Sequence, residues 1–375
     1  MSAGAWLRRI AFRDFRNLAK TTIELPEAGL AIIGENGQGK TNLLEGIYYM
    51  QVLRSVRGAR DQDLVRFGAK GFHIRYNAHT DPGGGGSHEL SVGFESAAKR
   101  KKISIDGSVV TRLSDAFGSL PSVIFSPRDI QMIAGPPSER RRFLDLVLAL
   151  SSRRYLRALQ LYRAALARRN AALRDAGRGT GNDTAAAVWE PALAEHGATL
   201  VCERAQWVRE RAGQFSALTI AMGEAGESLM SYESAAARDS DPRAALAIAF
   251  EKHRRLDIKR GMTHQGPHRD DLELTLDGRE LRIFGSAGQQ RTAAIALRML
   301  EGGTLRSARQ LEPLLLLDDP FAELDARRSA RILELLRNAG LGQTVLVVPR
   351  ESDIPSELME LERRTISGGV VGAAT

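Results

Sequence analysis

Gly34-Glu35-Asn36-Gly37-Gln38-Gly39-Lys40-Thr41 follows the apolar run Gly29-Leu30-Ala31-Ile32-Ile33 and precedes Leu43, Leu44, Ile47 and Tyr48 at helical spacing. Strand, glycine-rich loop and helix in that order is the context that a G-x-x-x-x-G-K-[ST] phosphate loop requires. Glycines let successive backbone N–H groups turn toward one anion, and the helix N-terminus adds partial positive charge. Lys40 is expected to reach the β- and γ-phosphates of ATP, and Thr41 to ligate Mg²⁺. A glycine-rich surface loop without a ligand would not call for a buried strand before it and an apolar helix after it.

Working outward, Leu314-Leu315-Leu316-Leu317-Asp318-Asp319 reads as a buried strand presenting two carboxylates at its C-terminal end. Asp318 is expected to hold Mg²⁺ through water, and Asp319 to accept a proton from the attacking water or to position it. Ser286-Ala287-Gly288-Gln289-Gln290 precedes a helix carrying Ala294, Leu297 and Leu300 on one face. It is a second small-residue loop at a helix start, and Ser286, Gly288 and Gln289 join the loop residues 34–41 as expected nucleotide contacts. Phe321-Ala322-Glu323-Leu324-Asp325 opens a further helix from Ala326 to Asn338, and Thr344 to Val348 is another buried strand.

The chain has 375 residues, more than one hydrophobic core usually holds, so two substructures are expected, one inserted into the other. One cysteine, Cys202, excludes an internal disulfide, fits a reducing compartment and reads as a small core residue. Residues 1–15 carry Arg8, Arg9 and Arg13 inside short apolar stretches, and no segment reaches the roughly 18 apolar residues of a membrane span. A cytoplasmic protein with no membrane partner is the expectation. The formal net charge of +8 and pI near 9.9 point toward nucleic acid, with an anionic membrane surface or an acidic protein as other partners of the same sign.

Along the chain, Trp6 to Phe12, Lys20 to Leu25, Phe72 to Ala78, Glu89 to Phe94 and Lys101 to Ile105 read as strands, with Gly83 to Gly86 as a hairpin tip. Arg54, Arg57 and Arg60 fall in a polar connection and need be no more than solvated. The run Lys99-Arg100-Lys101-Lys102 suits either DNA phosphates or the protection of a sheet edge. From Pro136 the spacing turns helical, and Arg140 to Arg174 holds ten arginines against one acid, Asp145. Arg140, Arg141 and Arg142 near a helix start oppose the macrodipole unless an anion compensates, and a phosphate backbone would do so. Residues 185–232 read as two or three helices, and Leu281 to Phe284 as the second strand of a hairpin after Asp277-Gly278. His268, Asp270 and Asp271 lack metal-ligand spacing and read as a polar network.

The phosphate loop, Ser286-Ala287-Gly288-Gln289-Gln290, Asp318-Asp319 and Glu323-Leu324-Asp325, in that order, resemble the ABC-type ATPase heads of the Rad50 and SMC group, while Phe15-Arg16-Asn17, Gly34 to Thr41, Phe125-Ser126-Pro127, Arg141-Arg142-Phe143-Leu144-Asp145, Gly266 to Asp271 and Gly285 to Thr292 resemble one of its members more specifically. Within that group the chain is most similar to the bacterial RecF family of recombination mediators. The resemblance covers nearly the whole chain and is weakest from about 177 to 257 and at the C-terminus. It implies an α/β fold, an ABC-type P-loop ATPase head with an inserted, mostly helical second lobe. The lobes would be residues 1–125 with 305–375, and residues 126–304.

The resemblance further implies a homodimer formed on ATP, with Ser286 of one subunit meeting the γ-phosphate held by the other. Such heads bind single- and double-stranded DNA and gap junctions, and work with RecO and RecR to load RecA. Candidate DNA contacts are Arg140, Arg141, Arg142, Lys99 and Arg100. No glutamine falls within Phe125-Ser126-Pro127, no histidine follows the last strand in Val347-Val348-Pro349-Arg350, and Asp319 replaces the usual glutamate base. These departures imply a slow ATPase that regulates DNA binding. A P-loop enzyme acting on a small substrate and a transporter subunit are the competing readings. The first lacks a catalytic cluster outside the nucleotide site, and the second lacks the coupling glutamine.

Overall fold

The computed structural model describes residues 4–80, 86–182, 184–320, 326–339 and 342–373. Its strands are β1 (Trp6–Phe15), β2 (Leu18–Glu24), β3 (Gly29–Ile33), β4 (Gly71–His79), β5 (His88–Glu95), β6 (Arg100–Ile105), β7 (Ser108–Val109), β8 (Ser122–Phe125), β9 (Ser228–Glu233), β10 (Asp271–Leu276), β11 (Arg279–Glu280), β12 (Leu314–Asp318), β13 (Thr344–Val348), β14 (Glu362–Ser367) and β15 (Val370–Ala373). The helices are α1 (Lys40–Val52), α2 (Leu113–Ala116), α3 (Gln131–Ala134), α4 (Pro137–Ser151), α5 (Arg153–Gly177), α6 (Glu190–Ala221), α7 (Pro242–Arg260), α8 (Leu281–Phe284), α9 (Ala287–Arg309) and α10 (Ala326–Asn338). No helix among the described residues is long and apolar enough to cross a membrane.

Two compact units emerge, residues 1–129 with 297–375, and residues 130–296. The sequence reading divides the chain after 125 and 304; here the second division falls inside α9, which is one unbroken helix. In the first unit, a sheet of order β15-β14-β3-β13-β12-β8 has β14, β3, β13, β12 and β8 mutually parallel. Its central strands are buried along their length, as the apolar runs Leu314–Leu317 and Val345–Val348 demand. Each such side chain contributes roughly 1.5–3 kcal/mol by burial. The second sheet, β2-β1-β4-β5-β6-β7, is antiparallel and alternates, burying Phe72, Ile74, Tyr76 and Ala78 of β4 on one face. Helix α1 packs on strands of both sheets and is buried continuously from Leu43 to Val52. Because β3 and β12 run parallel with only β13 between them, the phosphate loop and Asp318 leave the sheet at the same edge, the edge where open α/β sheets bind ligands.

The second unit packs α4 to α7 with the antiparallel sheet β11-β10-β9. Three expectations are corrected here. The stretch 185–232 holds one 32-residue helix, α6, followed by a strand, since Ser228 to Glu233 pairs with β10 from Leu276 back to Asp271. That pairing lies across some forty residues of chain and leaves no local signal. Leu281 to Phe284 is a helical turn, because only Arg279 and Glu280 pair with β10 before Gly285 N–H closes on the Leu281 carbonyl at 3.0 Å. Cys202 is exposed: Leu200 and Val201 fill the buried stripe of α6, and the next position turns outward. The expected hairpin tip falls mostly on 81–85, and Glu323-Leu324-Asp325 entirely on 321–325, outside the described residues.

Candidate functional site

Gly39 precedes α1 in the left-handed region, φ 114°, and makes no side-chain cap. No acidic residue stands in the first turn of α1 either, whereas α5 and α7 are capped by Ser152 and Asp241. The first amides of α1 are therefore left for an anion. Glu35, Asn36 and Gly37 are exposed, while Lys40 is buried and donates to the Gly34 carbonyl and, at 2.8 Å, to the Glu35 carbonyl. Burial lowers the Lys40 pKa, outweighing the opposite pull of Asp318, Asp319 and Glu35.

Thr41 Oγ1 donates to Asp318 Oδ1 at 3.1 Å, joining the loop to the end of β12 across 277 residues of chain. Burial raises the Asp318 pKa, and neighbouring Asp319 pushes the same way, against the hydrogen bond from Thr41. Asp319 turns away from the strand in the left-handed region, φ 45°, with its N–H on the Val347 carbonyl at 3.1 Å. A hydroxyl beside a carboxylate, with a second carboxylate next in sequence, is an oxygen donor set that fits Mg²⁺ completed by water and phosphate oxygens. Among the described residues no group of three or more His, Cys, Asp or Glu could hold a metal ion.

Ser286 caps α9 reciprocally with Gln289: Ser286 N–H donates to Gln289 Oε1 at 2.8 Å, and Gln289 N–H to Ser286 Oγ at 3.3 Å. Ser286 is exposed, Gly288 is half-buried, and Ile283 and Phe284 just before them are exposed large apolar side chains. This segment belongs to the second unit and the phosphate loop to the first.

The arginine expectations divide. Arg140 is 3% exposed, grips Asp271 through two hydrogen bonds of 2.8 and 2.7 Å, and donates to the Ile133 and Gly135 carbonyls. It is not available to DNA, which corrects the expectation; its compensating anion is internal. Arg141 is half-buried and donates to the Asp270 carbonyl at 2.7 Å, and Arg142 is half-buried. Lys99 and Arg100 are exposed, whereas Lys101 pairs with Asp61 at 2.9 Å and lies over the Tyr49 ring.

Two groups beside the loop make contacts that the motif spacing does not show. Arg57 is not merely solvated: it and Arg16 both pair with the buried Glu45, and Arg57 also donates to Asn42. Burial works against the Glu45 carboxylate, yet the hydrogen bonds from Arg57, Arg16 and Ser55 hold its pKa below the usual range. Asn17 donates to the Gln38 carbonyl at 3.0 Å. Glu45, a charged residue inside the apolar run Leu43 to Met50, is the kind of sequence signal that calls for buried partners.

A family model described as the RecF/RecN/SMC N terminal domain matches residues 6–364. The DNA replication and repair protein RecF of Chlorobium phaeovibrioides is 35% identical over 348 residues, 91% of this chain and 92% of that protein. Its counterpart from Anaeromyxobacter sp. (strain K) is 38% identical over 86% of this chain and 87% of its own length. A solved structure of the recombination mediator protein RecF with ATP in the RecFOR pathway superposes with a TM-score of 0.90 at 28% identity, over 100% of this chain and 99% of that one. An Smc head at 16% identity and TM-score 0.56, covering 98% and 97%, shares the fold. With a strand, phosphate loop and carboxylate edge of the ABC type and relatives aligned over nearly their full length, this chain belongs to the RecF family of DNA replication and repair proteins.

Proposed function

We propose that this protein is an ATP-gated DNA clamp of recombinational repair, and that Thr41 and Asp318, 3.1 Å apart at the mouth of the phosphate loop, are the observation that carries the reading. On ATP binding, Lys40 exchanges the Gly34 and Glu35 carbonyls for β- and γ-phosphate oxygens, and the uncapped amides of α1 face the same anion. Mg²⁺ supplies counter-charge to those oxygens, with Thr41 and Asp318 as its protein-side anchors. Asp319 orients the attacking water or takes its proton; as an aspartate it is shorter than the usual glutamate, which favours slow turnover.

Ser286, exposed at the start of α9, serves the γ-phosphate held by a second copy, so ATP joins two chains into a dimer. Hydrolysis removes those contacts and releases the clamp. Exposed cations, Lys99 and Arg100 in the first unit and Arg153, Arg154 and Arg157 on α5, meet DNA phosphates at single-strand/double-strand gap junctions. With RecO and RecR, the clamp then helps load RecA.

The test is fluorescence anisotropy of a labelled gapped duplex titrated with the protein in Mg-ATP and in Mg-ADP at one salt concentration. Tighter, steeper binding in ATP is expected. Identical weak curves would reduce the interaction to nonspecific basic adhesion and overturn the clamp.

A further inference from the structure

Gln38, in the middle of the phosphate loop, is gripped by groups from outside the loop. Its carbonyl accepts from Asn17 Nδ2 at 3.0 Å and from the Gly369 N–H at 2.9 Å, and its Oε1 accepts from the Gly368 N–H at 2.7 Å. Asn17 is in turn fixed by Asn42 of α1, whose Nδ2 donates to Asn17 Oδ1 at 2.9 Å. Arg16, held in the left-handed region at φ 54° with its N–H on the Leu64 carbonyl at 2.7 Å, sets the direction of this turn.

Gly368 and Gly369 form the turn between β14 and β15, and the buried Thr21 hydroxyl ties it down through the Gly369 carbonyl at 2.7 Å. The turn is a close fit. Gly369 has φ 83°, and a Cβ there would stand 2.3 Å from the Asn17 carbonyl oxygen. Since β14 pairs in parallel with β3, Thr365 opposite Ile33, the turn rises from the strand beside the one that feeds the loop.

A phosphate loop works by aiming N–H groups at the anion and carbonyls away from it. In a planar trans peptide the carbonyl and the next N–H point in opposite directions, so whatever fixes the Gln38 oxygen fixes the Gly39 N–H. We infer that Asn17 and the Gly368–Gly369 turn are positioning groups for nucleotide: they hold the Gln38–Gly39 peptide with its N–H facing the phosphates, which makes the C-terminal hairpin part of the nucleotide site. The inference rests on the nucleotide-binding reading above.

Calorimetric titration of the full chain with Mg-ATP and Mg-ADP tests it on the parent, Gly369→Ala, Asn17→Ala and Gly372→Ala, alongside thermal melting without nucleotide. Gly372 lies in the same hairpin, and a Cβ there meets only Thr365 Oγ1 at 3.7 Å, an ordinary contact. Gly369→Ala and Asn17→Ala should weaken both nucleotides about tenfold, with Asn17→Ala melting within a few degrees of the parent and Gly372→Ala binding within about twofold of it. Parental affinity in both Gly369→Ala and Asn17→Ala overturns the inference. So does a loss of affinity in Asn17→Ala that only follows a collapse of its nucleotide-free melting, which would mark the contacts as structural. A parent chain that binds neither nucleotide overturns the nucleotide reading itself, and the inference with it.

Discussion

The phosphate-loop edge of the first unit and the arginine-rich helices of the second are built from the same residue types, and their environments treat charge in opposite ways. In the second unit the fully buried Arg204 donates to Asp145 at 2.6 Å, to the Tyr155 hydroxyl at 2.9 Å and to the Pro267 carbonyl at 2.7 Å, while Arg163 reaches the other Asp145 oxygen at 2.8 Å. Arg169 is likewise enclosed by Asp257 and Glu190 at 2.7 and 2.9 Å. Burial opposes ionisation of Asp145, but Arg204 and the Tyr155 hydrogen bond outweigh it and hold the pKa low. At the phosphate loop, burial and the adjacent Asp319 leave Asp318 with a raised pKa, and Lys40 bonds backbone carbonyls. Asp145 is held low with its cations already in place, whereas Asp318, held high beside the phosphate loop, is arranged for a cation that arrives with a ligand.

Breaking the internal pairs should give the largest effect. Arg204→Met leaves the Asp145 carboxylate buried without its principal partner, and urea denaturation should show a loss of about 3–5 kcal/mol. Lys40→Ala should do the reverse: an unfolding curve close to the parent's, with affinity for Mg-ATP reduced roughly tenfold to a hundredfold in calorimetric titration, the scale of one charge-assisted hydrogen bond. A large stability loss in Lys40→Ala would erase the contrast between the two regions.

Asp318→Asn sharpens the comparison through pH. Because the folded chain raises the Asp318 pKa, it binds that proton more tightly than the unfolded chain does, so stability falls as pH rises through the raised value. The asparagine variant escapes this and should be more stable than the parent at pH 7, an advantage fading toward about pH 4, in denaturation curves collected across that range. Asp145 runs the other way: its contribution is present above the unfolded value and lost as pH falls through the depressed folded one. The smallest effect concerns DNA. Arg100→Gln and Arg157→Gln, both at exposed positions, should each lower the salt slope of binding by about 0.9 without shifting the melting temperature, whereas Arg140→Gln should destabilise the fold.

How much of this was legible depends on how far apart the cooperating residues lie in the chain. The strand, loop and helix from Gly29 to Val52 could be read because the motif is contiguous and the apolar spacing is local. The four leucines before Asp318 mark a buried strand for the same reason. The ten arginines from 140 to 174 could be counted but not sorted, since Arg140 finds Asp271 and Arg169 finds Asp257 only after folding. Strand β9 leaves no local trace because its partner is β10, and Cys202 reads as a core residue because one helical step separates a buried position from an exposed one. The C-terminus, where the family resemblance is weakest, carries the turn that reaches Gln38 from 330 residues away.

The sequence by itself determined a phosphate loop, two acids at a strand end, a second small-residue loop at a helix start and the family, since each is a short string whose chemistry depends on near neighbours. Tertiary structure alone decided that Thr41 meets Asp318, that Asn17 and a distant glycine turn hold Gln38, and which arginines remain exposed. Hydrogen bonds and ion pairs act over about 3 Å, and which groups come that close is fixed by strand order and helix packing rather than by composition.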